Sequence, residues 1–224
     1  MATSPIKPFK VSQLGAGKGP VSCTQDRVNE LLAQLHMVSE LEVLVGFPEA
    51  STERDPDPTA QQGSQPATNA ELAYIHDNGA PEANIPARPF MLPGINDARA
   101  KIARQMAQVG VAVFRLTGDP KDKLREQRVQ KAFHAVGLTA QYAIRAKIND
   151  GIPPPLAPAT IALRHKQRGT KSMRKGELKY FELLGKGMSP GDAQSTANIK
   201  ALINTGQLRN AVNYVIRPRK ARSK

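Results

Sequence analysis

The stretch HDNGAPEANIPARPFMLPGI, residues 76–95, carries four prolines and two glycines in twenty positions, and it constrains the fold more than any other segment. Proline locks its own φ, lacks a backbone N–H, and pushes the residue before it into extended geometry. Ile85 to Phe90 therefore reads as an extended ribbon. Missing donors at Pro86 and Pro89 suit an edge strand rather than a central one. Just upstream, NAELAYIHDN (residues 69–78) has the composition of a short helix. Asn69 is placed to cap it and Gly79 to stop it in the left-handed conformation. Downstream, Ile95, Ile102, Met106, Val109, Val113 and Leu116 recur at helical spacing, which predicts a long helix over about 96–116.

Within the ribbon, Pro86, Pro89 and Pro93 fix the backbone, and Phe90 and Met91 supply an apolar anchor. Arg88 leaves the chain between two prolines, so its planar fork suits a two-pronged bond to a carboxylate or to carbonyl oxygens. Three readings stay open. The ribbon presents one side to a neighbouring subunit, or it is an intramolecular corner that orients the long helix, or Arg88 is merely solvated.

The same logic along the chain predicts an α+β fold: a small antiparallel sheet packed on two long helices, with extended terminal arms. Strands are expected at 41–47, about 85–90 and 211–217. The second long helix is expected over about 121–149, where Val129, Phe133, Val136, Ala140, Ile144 and Ile148 form one stripe. A further helix, 24–38, carries Val28, Leu31, Leu32, Leu35 and Val38 on one face. IPPPLAPAT (152–160) is rigid and extended, with a helical turn after it to His165. ELKYFELLGKG is a short helical candidate. Residues 1–22 read as an N-terminal arm, 23–217 as the domain with a mobile loop at 49–68, and 218–224 as a basic tail. Fast cleavage after Arg54 is expected in that loop.

Aromatic residues make up only 4% of the 224, with no Trp, so aliphatic side chains and alanine must build the core. Charge is segregated: residues 1–120 hold 10 Lys and Arg against 13 Asp and Glu, a net of −3, whereas residues 121–224 hold 22 against 6, a net of +16. A basic half admits contact with nucleic acid or with an acidic protein face. A lone cysteine, Cys23, excludes an internal disulfide framework. No apolar run approaches the roughly 18 residues that span a bilayer, and MATSPIKPFK lacks the apolar stretch of a secretory leader. The expectation is a chain made in a reducing cytoplasm.

Sites for chemistry do not emerge. His36, His76, His134 and His165 occur in no metal-ligand spacing. Gly15 to Gly19 has a lysine, but a glycine follows Lys18 where a phosphate loop needs Ser or Thr. Asp55 and Asp57 lie in a polar loop. Catalytic, cofactor-binding and metal-binding residues are all expected to be absent, and the chain is expected not to be an enzyme. A cell-wall hydrolase is the enzyme alternative, and it lacks an acid/base pair.

Three separated segments carry a resemblance. ELAYIHDNGAPEANIPARPFMLPGI, INDGIPPPLAPATIALR and ALINTGQLRNAVNYVIR occur in the order of three motifs of the bacteriophage tail-completion and neck protein family, across roughly residues 40–217. Asn204 stands where that family usually has Asp, Ala211 where it usually has Ser, and the segment 171–200 is long. The resemblance implies a structural virion protein of the head–tail junction, made in the host cytoplasm. It implies a homo-oligomeric ring, six-fold or alternatively twelve-fold, that joins or completes the tail. Partners would be other connector and tail proteins (adaptor, tail terminator, tail tube), with contact to DNA in the neck as a further option. No membrane or small molecule is implied. Pro86, Arg88, Pro89, Phe90, Met91, Arg209 and Tyr214 are the candidate interface residues. The alternative function is non-specific nucleic-acid binding by the basic C-terminal half.

Overall fold

The computed structural model describes residues 32, 35, 36, 38–48, 67–114, 123–168 and 175–219. The expected arm 1–22, nearly all of the loop 49–68, most of the tail 218–224 and much of the helix 24–38 lie outside these residues. The fold is α+β. Strand β1 (Leu41–Gly46) pairs antiparallel with β2 (Asn213–Pro218), in the register Leu41↔Pro218 to Gly46↔Asn213. Between them come helices α1 (Asn69–Asn78), α2 (Met91–Phe114), α3 (Lys123–Asp150), α4 (Pro158–Arg168), α5 (Lys175–Gly185), α6 (Pro190–Thr196) and α7 (Gln207–Ala211).

The pleat sorts each strand's side chains. Leu41 and Val43 point inward with Ile216, and Val45 packs towards Phe90, while Leu44 and its partner Val215 face outward. The inner face of the sheet rests on α3. Helices α2 and α3 run antiparallel, since Asp97 near the start of α2 pairs with Lys147 near the end of α3 at 2.8 Å. Gly94 permits their close crossing: a Cβ there would lie 3.0 Å from Ile144 Cα. Gly137 does the same for β2 and α3, because a Cβ would lie 2.3 Å from the ring of Tyr214.

Buried side chains form separate clusters. One joins Ala73, Phe90, Ile144, Ile148, Leu202, Leu208 and Val212. A second joins Val109, Val129 and Phe133 beneath the sheet. A third, made of Ile161, Tyr180, Ala193 and Ala197, belongs to α4, α5 and α6 and forms a lobe of its own over the described residues 156–168 and 175–199.

The structure corrects the expected strand at 85–90. Ile85 makes one bridge, to Ala80, and residues 86–90 pair with neither strand. Pro86 and Pro89 have no donor, and the N–H of Arg88 goes to His76 O at 2.7 Å instead. Helix α2 starts at Met91 rather than 96, with Pro93 inside its first turn, where its missing N–H costs nothing. Strand β2 starts at Asn213, since residues 207–211 are helical.

Candidate functional site

The corner between α1 and α2 is over-determined by hydrogen bonds. Thr68 caps α1: its Oγ1 accepts from Glu71 N, and the Glu71 carboxylate accepts from Thr68 N at 2.8 Å. These bonds hold the Glu71 carboxyl below the usual carboxylate range. Gly79 ends α1 with φ of 81°, and a Cβ there would lie 2.7 Å from Ala87 N, so both the turn and the returning chain require glycine. Ala80 and Ile85 exchange backbone bonds of 2.8 and 3.0 Å around a short 3-10 turn, Pro81–Ala83. Asp77 then reaches across the corner. Its Oδ1 accepts from Phe90 N at 2.7 Å and Met91 N at 3.0 Å, which satisfies free donors at the start of α2 and sets a negative charge at its positive end.

Arg88 is 4% exposed and lies against the proline-rich strap. Its Nε and Nη2 donate to Pro154 O at 3.1 and 3.0 Å, and Nη2 also reaches Pro155 O at 3.4 Å. Both acceptors are peptide carbonyls, so the cation sits among dipoles. Burial pulls its pKa below the ordinary guanidinium value. Of the candidate interface residues, Arg88 thus spends its fork within its own chain. Phe90 is fully buried, edge-on to Phe47 at 6.4 Å, and Met91 packs half-buried on the same core. Pro86 and Pro89 stay exposed.

Arg209 and Tyr214 lie apart from the corner, along α3. Arg209 Nη1 donates to Asn149 Oδ1 at 3.3 Å. The Tyr214 hydroxyl meets His134 Nδ1 at 3.0 Å, with the two rings edge to face. Between them Gln141 Nε2 and Arg145 Nη2 both donate to Val212 O at 2.8 Å, and Arg145 also reaches Asn210 O at 3.0 Å. These bonds lock the closing segment to α3 before β2 begins. Sequence reasoning missed Asp77, Gln141 and Gly137, whose partners are 13 to 77 residues away in the chain. It also missed the exposed apolar side chains Tyr74 and Leu138. Their signal was available: each interrupts the polar face of an otherwise amphipathic helix.

Among the described residues no set of three His, Cys, Asp or Glu side chains could hold a metal ion, and no helix is long and apolar enough to cross a membrane. A cavity of about 260 Å³ lies where α3 ends against the lobe, lined by Asp150, Pro153, Gln194, Ser195 and Lys200 among others. It presents no nucleophile paired with a base. No family model matches this chain, and no curated protein and no solved structure is similar to it.

Proposed function

We propose that this chain is a structural subunit of the phage head–tail junction, assembling into a ring at the neck or tail end that joins or completes the tail. The observation that supports this most is the convergence of the three motif segments. Arg88 of the first grips Pro154 and Pro155 of the second, and Phe90 of the first shares a core with Leu208 and Val212 of the third. Residues more than sixty positions apart in the chain thus pack together. On this reading the assembly is six-fold, with twelve-fold as the alternative, and its neighbours are adaptor, tail-terminator and tail-tube proteins. The working location is the virion, and the role needs no catalysis.

Electron microscopy of the purified protein, and of particles carrying a tagged copy, tests the reading. A ring at the neck is expected. Tag density anywhere other than the head–tail junction overturns it. The second reading, non-specific binding to nucleic acid, draws on the +16 charge of residues 121–224 and on the exposed ring of Tyr142. It requires an affinity that falls steeply and uniformly with salt.

A further inference from the structure

Two faces of the body stand out by charge and by exposed apolar side chains. On α1 the outward stripe is Glu71, Tyr74 and Asn78, and Tyr74 is 71% exposed. Glu82 follows in the next turn, and no Lys or Arg occurs between residues 55 and 87. On α3 the outward stripe runs through Lys131, Leu138 and Tyr142, with Leu138 40% and Tyr142 61% exposed. No Asp or Glu occurs from 127 to 149, and Arg209 of α7 borders the stripe at Asn149. One face is therefore acidic around an exposed tyrosine, the other basic around an exposed tyrosine and leucine.

Their placement follows from helix geometry. Ala73 and Ile144 belong to the same buried cluster. At 3.6 residues per turn Glu71 and Asn78 turn well away from Ala73, with Tyr74 at the edge of that face, and Leu138 and Tyr142 turn away from Ile144. Both faces thus look away from the shared core, where a second copy can reach them.

We propose that the α1 face of one copy docks on the α3 face of the next. The occupant of each face is a second copy of this chain, and the pairing deepens the ring reading on which it rests. Opposite charges set orientation and register. Buried tyrosines with an arginine at their margin are the composition of an interface centre. Because the faces differ, the contact is head-to-tail, and repetition gives a closed ring or an open filament rather than a two-fold dimer.

Two exposed substitutions test this: Tyr74→Ser on one face and Tyr142→Ser on the other. Neither side chain is in a core, so both variants should keep the circular dichroism spectrum and Tm of the unchanged protein. In sedimentation velocity the full-length chain should self-associate, more weakly as salt rises. Each variant alone should associate roughly tenfold more weakly or worse. An equimolar mixture should form a heterodimer and stop there, because each variant keeps the face the other has lost. Variants that associate like the unchanged chain would overturn the proposal. So would a mixture no larger than either part, or a Tyr142→Ser defect seen only in binding a DNA oligonucleotide. A neck ring in particles that accept either variant sinks these mating faces and leaves the ring reading standing. Tag density away from the neck sinks that reading, whatever the sedimentation shows.

Discussion

The corner around Arg88 is tied to distant parts of the chain, whereas the lobe of α4 to α6 packs around a core of its own. At the corner the buried Arg88 meets the Pro154 and Pro155 carbonyls, and the half-buried Asp77 meets the Phe90 and Met91 N–H groups. In the lobe, Tyr180 is fully buried and its hydroxyl has no hydrogen-bond partner among the described residues. Gln194 Oε1 is likewise buried without one, and its Nε2 reaches Ile199 O only at 3.5 Å. An unmet buried polar atom costs about 1–3 kcal/mol, so the Tyr180 hydroxyl is a penalty inside the lobe. Its helices are also shorter, 11, 11 and 7 residues against 24 and 28 for α2 and α3. The body should open last and the lobe first.

Removing the centre of the body should have the largest effect. Phe90→Ala leaves a cavity in a fully buried site and should cost about 3–5 kcal/mol in urea unfolding. If the lobe is a separate cooperative unit, hydrogen exchange in α5 should be unchanged by this substitution. Faster exchange in α5 to the same degree as in α3 would abolish the distinction between the two regions.

Arg88→Ala removes the donors that serve Pro154 and Pro155 and should cost about 1–3 kcal/mol. Arg88→Lys should recover only part of this, since an ammonium lacks the fork that serves two adjacent carbonyls. A melting temperature equal to that of the unchanged protein in both variants would mean the clamp contributes nothing.

Gly137→Ala drives a methyl group into the Tyr214 ring and should cost about 1–3 kcal/mol through overpacking. The double variant with Tyr214→Ala should recover much of that loss. Additive losses would place the strain elsewhere.

The smallest effect is expected in the lobe. Tyr180→Phe deletes the unmet hydroxyl and keeps the ring that packs on Phe181, so stability should stay within about 1 kcal/mol or rise. Burial raises the pKa of Tyr180 above its ordinary value of 10.0. The unfolded chain therefore loses that proton first as pH rises, and the resulting stability, complete below the unfolded value, declines above it. Tyr180→Phe should remove this part of the alkaline decline. An unchanged alkaline limb in the variant would show that the hydroxyl is not desolvated.

What the sequence made legible was local. The stripe of Val129, Phe133, Val136, Ala140, Ile144 and Ile148 marked α3, and every one of these residues is buried. Gly79 marked the stop of α1, and the paired prolines marked a ribbon with a directed arginine. The sequence also allowed carbonyl oxygens as acceptors for that fork. It did not say which, because Pro154 is 66 residues from Arg88. The supposed strand at 85–90 failed for a related reason. Extended geometry is a property of the residues themselves, whereas a ladder needs a neighbour, and the free donors here were already committed to the corner. The lobe was read as a helical turn to His165 and one short helix. Pro190 behind Ser189, a first-turn proline after a capping serine, was the overlooked sign of the remaining one.

The Arg88 contact has a mechanical meaning. A pull on the strap reaches the 76–94 corner through bonds that share one guanidinium and adjacent carbonyls, so the load is carried in parallel instead of breaking one bond at a time. From there it passes through the Asp77 carboxylate into the N-terminal end of α2. In a part held under tension this linkage would act as a rivet, spreading force from the proline-rich strap into a helix of 24 residues.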